Sequence, residues 1–385
     1  MNAENLVEII SSGETSKVQL KRDFDHQDKI AAEIVAMANA QGGIVIFGVE
    51  DKAGAIVGLS YEQLQLINNK LANITSDLIK PLVSFTTEVV DVEHKKLLVV
   101  RIDEGVAKPY KDNNGTVWVK RGADKRKVTD NSELMRLFQE SGTLHVDEMT
   151  VPNTSEKDIA SYLVEEYLHC LYKNEDVYAP DHYLYQNLGI LKNGKITLGG
   201  LLFFGRNPQR YLPNFCIKAV RFLGNDLGGV HYGNSRDIVG PIPRMFRDGL
   251  DFLDANLQHL QMGQNFNSVG ILEIAMVALE ELLQNALIHR DYTINAPVRL
   301  LIFDNRIEII SPGKLPNSLT VENIKLGQAV PRNNLLISYC AKLMPYRGIG
   351  SGIHRALTAQ PNTQLINDTE GVGQFTVKIP RPEKE

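Results

Sequence analysis

LEIAMVALEELLQNALIHRDY, residues 272–292, carries apolar residues at helical spacing and reads as an amphipathic helix within 270–289. Glu281, Asn285 and His289 recur at i, i+4 and i+8, so they share one face of it. That row can set Glu281 against a water, Asn285 against a magnesium ion and His289 near phosphates. Alone, it fits an ordinary solvated helix face better, and two later loops change the balance. Ser311-Pro312-Gly313-Lys314-Leu315 follows a hairpin made of Val298–Phe303, the turn Asp304-Asn305, and Arg306–Ile310. Tyr346-Arg347-Gly348-Ile349-Gly350-Ser351-Gly352-Ile353 opens a helix over 353–359. Successive glycines ahead of a helix gather backbone N–H groups where the helix dipole is positive, which makes an anion cradle. The spacing predicts that the 272–289 helix and the 348–352 loop face one pocket. A helix near 333–343 and strands over 363–367 and 373–379 complete this part.

Working upstream, a helix is expected over 241–259, a Gly- and Asp-rich loop over 224–240, a strand over 215–222 and a helix over 156–170. Residues 195–205 form an apolar segment ending in Gly205, and 143–155 read as a polar linker or long connection. Arg206, Arg210, Lys218, Arg221, Arg236, Arg244 and Arg247 either extend a nucleic-acid surface or form internal salt bridges.

The first 142 residues read as a separate α+β unit. It has a short N-terminal helix and a helix over 27–40 with Ile30, Ile34, Met37 and Ala38 on one stripe, ended by Gln41-Gly42-Gly43. Then come a buried strand over Ile44–Val49, a helix over 61–79, antiparallel strands over 83–92 and 96–102, a strand over 115–121 and a helix over 130–139. Between 108 and 127 lie seven basic residues, Lys108, Lys111, Lys120, Arg121, Lys125, Arg126 and Lys127, with Tyr110 and Trp118 among them. Such a wedge can contact phosphates and stack on a base, though a solvated hairpin end has the same composition.

Composition sets the outer limits. Lys plus Arg is 41 against 46 for Asp plus Glu, a net charge of -5, which rules out a uniformly basic nucleic-acid-coating protein. Cys170, Cys216 and Cys340 are far apart and form no CxxC, so neither a disulfide scaffold nor a multi-cysteine zinc site is expected. No signal peptide or membrane span is visible, and a cytoplasmic location is expected. No GxxxxGK[ST] occurs, which argues against Walker-type motors and a true helicase.

Gly13-Glu14-Thr15-Ser16-Lys17-Val18-Gln19-Leu20-Lys21, Asn39-Ala40-Gln41-Gly42-Gly43, Gly48-Val49-Glu50-Asp51 and Trp118-Val119-Lys120-Arg121-Gly122 together resemble the Schlafen/AlbA-like DNA-binding domain. The resemblance covers 13–142 and implies DNA binding, with Lys120, Arg121, Lys125, Arg126 and Lys127 as the contacting residues. Some relatives cut RNA with grouped carboxylates, and Glu14 and Asp51 match two such positions. The third is Gln19, a neutral amide that is no strong ligand for a hard cation.

Glu281-Leu282-Leu283-Gln284-Asn285, Gly348-Ile349-Gly350-Ser351-Gly352 and Gly373-Gln374-Phe375-Thr376-Val377 resemble the gyrase, histidine-kinase and mismatch-repair ATPase superfamily, an α/β sandwich. The resemblance implies ATP and magnesium as cofactors and Glu281 as the catalytic residue. Asn285 would be the metal ligand, and Asn285, His289, Ser311, Gly313, Gly348, Gly350, Ser351 and Gly352 would bind the nucleotide. The family's first glycine motif, Asp-x-Gly-x-Gly, is Ser311-Pro312-Gly313-Lys314-Leu315 here, so its adenine-reading carboxylate is replaced by a hydroxyl. Leu201-Leu202-Phe203-Phe204-Gly205-Arg206-Asn207-Pro208 and His289-Arg290-Asp291-Tyr292 resemble proteins that join these two domains and are labelled transcriptional regulators or RecG-like helicases.

The expected protein is an α+β multidomain chain. Residues 1–142 form a Schlafen/AlbA-like unit, 143–265 a connecting region partly packed with the C-terminal domain, and 266–385 a divergent ATPase-like domain. The leading reading is a DNA-binding transcriptional regulator with a nucleotide-binding domain and, at most, weak ATPase activity. Left open are a metal-dependent nuclease using Glu14 and Asp51, and a structural or dimerisation protein with a degenerate nucleotide site. DNA and nucleotide are the expected partners, no membrane is, and homo-oligomerisation is left open.

Overall fold

The computed structural model describes residues 2–50, 54–172, 180–229, 231–260, 270–316, 319–348, 350–369 and 373–382. The chain forms two compact units, Met1–Leu144 and His145–Glu385.

In the first unit, α1 (Ala3–Ser11) starts where the Asn2 side chain accepts from the Asn5 N–H. Strand β1 (Val18–Lys21) pairs in parallel with β2 (Gly43–Phe47), joined by α2 (Gln27–Asn39). After α3 (Tyr61–Asn73), β3 (Phe85–Val92) and β4 (Lys95–Ile102) complete a four-stranded sheet in the order β1-β2-β4-β3. Alternate strand residues bury on its two faces. Val45, Phe47, Leu98 and Val100 pack with α2 and α3, while Leu20, Ile46, Leu97 and Val99 pack with Leu6 and Ile10 of α1. The sequence predicts one buried stripe on α2, yet every residue from Ile30 to Asn39 is buried. The hairpin β5 (Trp118–Arg121) and β6 (Asp124–Lys127) packs on the side of α2 away from the sheet and covers its polar face. Helix α4 (Asn131–Glu140) seals that hairpin through Val117, Val119 and Leu137. Gly42 ends the turn after α2 at φ +71, and a Cβ there would lie 2.6 Å from the Ile102 carbonyl oxygen, so no larger residue fits.

In the second unit, residues 145–155 are built into the fold. The Asp147 carboxylate accepts from the Leu336 N–H, and the Val151 N–H donates to the Ile196 carbonyl. Helix α5 is Ser161–Tyr172. The apolar segment 195–205 becomes helix α6 (Leu198–Phe204), started by Thr197 and buried along its whole length. Strand β7 (Ile217–Phe222) is followed by β8 (Tyr232–Ile238), where a loop was expected. β8 is an edge strand with six exposed residues, so it lacks the alternation that reveals a half-buried strand. Helices α7 (Ile242–Asn256) and α8 (Met276–Ile288) lead to β9 (Val298–Ile302), parallel to β7, and to its hairpin partner β10 (Arg306–Pro312). After α9 (Val321–Lys325), α10 (Asn334–Leu343) and α11 (Gly352–Ala359), β11 (Gln364–Asp368) and β12 (Gln374–Pro380) finish the sheet. Its order is β8-β7-β9-β10-β12-β11. Ile309 pairs with Val377 and Ser311 with Phe375, and these four side chains face α8 across a cavity. Among the described residues, no helix is long and apolar enough to cross a membrane.

Candidate functional site

A cavity of about 140 Å³ lies between α8, the β10 and β12 strands and the loop that opens α11. Glu281, Asn285, His289, Ser311, Gly313, Gly348, Gly350, Ser351 and Gly352 all line it, so every predicted residue of the C-terminal site reaches one space. Leu282, Ile309, Leu315, Ile324, Val330 and Phe375 give it apolar walls. Its charged lining among the described residues is Lys314, Arg332, Arg347 and Arg355 against one carboxylate, Glu281. Arg332 and Arg347, which meet no carboxylate among the described residues, suit an anionic ligand.

At one end, Glu281 is 8% exposed and bound by Arg355: Nε donates to Oε1 at 2.9 Å, and Nη2 donates to the same oxygen. Arg355 Nη1 also donates to Ser351 Oγ at 2.5 Å. Asn285 Nδ2 donates to the Glu281 carbonyl at 2.7 Å, which leaves Oδ1 without a protein donor among the described residues. A Cβ on Gly352 would collide with Glu281 Oε2, and one on Gly350 with the Gly327 carbonyl. Gly350, which meets backbone, is therefore required by close approach, whereas a residue at 352 would displace the Glu281 carboxylate.

At the other end, Ser311 Oγ donates to the Ala286 carbonyl at 3.0 Å, so its proton is committed to the fold. His289 Nε2 lies 3.3 Å from the Tyr346 hydroxyl. Burial, with the Arg332 charge second, pushes the His289 pKa down to about 4, so the imidazole is neutral at pH 7. Arg332 is 5% exposed, and its guanidinium donates to the His289 and Lys314 carbonyls at 3.4 and 2.8 Å. It meets no carboxylate among the described residues, although a guanidinium carries five donors. Asn333 beside it donates to the Ile288 and Arg290 carbonyls and ties off the end of α8. Sequence reasoning missed Arg332 and Arg355. Arg355 had a signal, four residues after Ser351 on the helix the glycine loop opens; Arg332 had none.

The basic hairpin of the first unit divides into inward and outward cations. Lys108 is 2% exposed and pairs with Glu104 and Glu140, and Tyr110 is buried in the core. The Lys120 side chain is fully enclosed, donating to Gln19 Oε1, the Ala123 carbonyl and Glu33. Lys125 pairs with the other oxygen of Glu33 at 2.5 Å, and Arg126 pairs with Glu133. Trp118 is half-buried, donates to Asp112 and carries the Lys127 ammonium 5.4 Å from its ring centre. Lys111, Arg121 and Lys127 remain exposed, with no ion pair among the described residues. Glu14 accepts from Gln19 Nε2 and from the Leu20 N–H. Asp51 lies outside the described residues. Among those residues no three His, Cys, Asp or Glu side chains gather to hold a metal.

The basic set in the second unit is largely paired within it. Lys218 binds Asp237, Arg221 binds Asp304, and Arg236 and Arg244 share Asp248.

Residues 14–129 match the SLFN_AlbA_2 family, described as "Schlafen, AlbA_2". Residues 295–377 match the HATPase_c_4 family, described as "Putative ATP-dependent DNA helicase recG C-terminal". No curated protein matches the chain. Among solved structures, it is similar to the DIP2311 protein from Corynebacterium diphtheriae, at 20% identity and TM-score 0.46, over 95% of this chain and 65% of that one. This chain thus spans less than two thirds of that protein. It is also similar to the N-terminal domain of the "Putative ATP-dependent DNA Helicase RecG-related Protein" from Nitrosomonas europaea, at 21% identity and TM-score 0.26, over 34% of this chain and 96% of that one.

Proposed function

We infer that this chain, which carries a Schlafen/AlbA_2 domain ahead of an ATPase-like domain, is a DNA-binding transcriptional regulator that takes ATP in its second unit. The observation that carries this reading is the shared cavity: the Glu281-Asn285-His289 row and the glycine loop line one space with four cationic side chains and apolar walls. The walls suit a base, and the cations and loop suit a polyphosphate.

The residues fit magnesium through Asn285, whose Oδ1 has no protein donor among the described residues. An amide oxygen is a weaker ligand than a carboxylate, so phosphate oxygens and waters would supply most of the coordination. When bound, the ion would neutralise phosphate charge. The chain's own residues have separate tasks: the 348–352 loop holds the phosphates, and neutral His289 and Tyr346 form a hydrogen-bonding wall. Glu281 takes the proton of an attacking water if turnover occurs. On the first unit, Arg121, Lys127 and Lys111 are the cations free to meet DNA phosphates.

Thermal unfolding of the whole chain with and without ATP and magnesium tests the reading, together with a phosphate-release assay. A ligand that binds only the folded state raises the midpoint, by about 2.7 kcal/mol of stability at 100 times its Kd. An unchanged midpoint at millimolar ATP overturns it. A raised midpoint without phosphate release leaves a nucleotide-sensing regulator and removes the enzyme.

A further inference from the structure

Glu281 is the sole carboxylate among the described residues lining the cavity, and it is already bound. Arg355 reaches it with Nε and Nη2 and reaches Ser351 Oγ with Nη1, so one guanidinium ties Glu281 of α8 to the loop before α11. Gly352, at the start of α11, lies against Glu281 Oε2 so closely that a Cβ would collide with it. The carboxylate therefore lies against the start of α11, with Arg355 as its cationic partner. The two partners are unequally held: the Arg355 side chain is 34% exposed and the Glu281 side chain 10%. Arg355 is the partner that a ligand entering from solvent can reach. In the same cavity, Arg332 is 5% exposed with only carbonyl partners among the described residues, a cation that an anionic ligand would meet.

We propose that Glu281 is the resident anion of this cradle, and that Arg355 exchanges it for the terminal phosphates of a nucleoside triphosphate, so that ligand entry uncovers the carboxylate. The proposal rests on the nucleotide-binding reading and adds a gate to it. Arg355 becomes a ligand-binding residue. Glu281 has two states, paired with Arg355 in the empty site and released once phosphate takes the guanidinium. Two anions compete for one fork of donors, and Arg binds phosphate and carboxylate oxygens with the same geometry. Without such exchange Glu281 stays paired when ATP is bound.

Isothermal titration of the full chain with ATP and with AMP, each with magnesium, separates the possibilities in wild type, Glu281→Gln, Arg355→Ala, Arg355→Lys and the Glu281→Gln/Arg355→Ala pair. Releasing Arg355 by Glu281→Gln should tighten ATP by about 5-fold or more, because the competent state no longer has to be won from a competitor. AMP, which lacks the terminal phosphates, should change by less than about 2-fold. Arg355→Ala should weaken ATP by about 10- to 100-fold, the scale of a lost hydrogen bond to a charged group, and leave AMP nearly unchanged. Arg355→Lys should fall between. In the double variant the gain from Glu281→Gln should vanish, since it acts only through Arg355. Equal shifts for ATP and AMP, or additive effects in the double variant, overturn the gate while leaving ATP binding intact. ATP binding by Glu281→Gln alone supports it in its strongest form. Absence of binding in every variant overturns both the gate and the nucleotide reading.

Discussion

Asp147 is fully buried, with Oδ2 bonded to the Leu336 N–H and Oδ1 without a partner. Burial raises its pKa from 3.8 to about 6, with Leu336 and Leu335 N–H groups opposing. Its folded pKa lies above its unfolded one, so the folded chain holds the proton more tightly. Stability present at low pH is lost as pH rises from 3.8 through about 6. Asp147→Asn keeps an acceptor for Leu336 and never ionises. It should therefore raise stability at pH 7.5 by about 1–3 kcal/mol, and the gain should shrink toward zero near pH 4. Urea unfolding of both proteins at the two pH values reads the difference, and a gain that is equal at both would contradict the assignment. Arg332 is the companion case. Arg332→Ala should weaken ATP by about 10-fold or more if its spare donors meet the ligand. The sequence made Glu281, Asn285 and His289 legible because helical spacing aligns them and two glycine-bearing loops follow. It left Arg332 illegible because that guanidinium reaches the cavity from a loop, held by carbonyls that no residue type announces.

At the scale of elements, periodicity exposed α2, the antiparallel β3 and β4 pair and the β9–β10 hairpin to within a few residues. It failed where tertiary contact overrode it: the exposed edge strand β8, the fully buried α6, and an α2 that is covered on its polar side as well. The β5–β6 hairpin shows the same effect on charge. Lys120 looked like a phosphate contact, but its side chain is 0% exposed and answers Glu33 on α2. Lys120→Met should therefore cost about 1–3 kcal/mol of stability, less than a fully broken buried pair because Lys125 still holds Glu33. It should leave the salt dependence of DNA binding unchanged. Arg121→Ala and Lys127→Ala should do the reverse. Each should lower the slope of log affinity against log salt by roughly 1 while barely shifting the urea midpoint. DNA titrations at several salt concentrations, beside urea melts, decide it. A fall in slope for Lys120→Met alone would mean that the lysine turns outward on DNA.

At the scale of the whole molecule, two compact units each carry their own core, and the two proposed ligands fall on different ones. A regulator differs from two modules sharing a chain only if the ligands feel each other. That condition is thermodynamic and makes no appeal to distance. If ATP changes DNA affinity by some factor, DNA must change ATP affinity by the same factor, since both describe one closed cycle. The gate at Arg355 gives such coupling a local source. Exchange of Glu281 for phosphate alters the contacts between α8 and the loop before α11, and a rearrangement there can bias a population of conformations that DNA also selects. We expect a coupling factor above about 5, the low end of known allosteric pairs. Fluorescence titration with duplex DNA, with and without saturating ATP and magnesium, gives one factor. Calorimetric titration with ATP, with and without saturating DNA, gives the other. Arg355→Ala should bring both toward one while leaving the DNA affinity of the ATP-free protein unchanged, because that residue lies in the second unit. A factor of one in both directions for wild type would leave DNA binding and nucleotide binding as independent activities, and the regulatory part of the reading would fall.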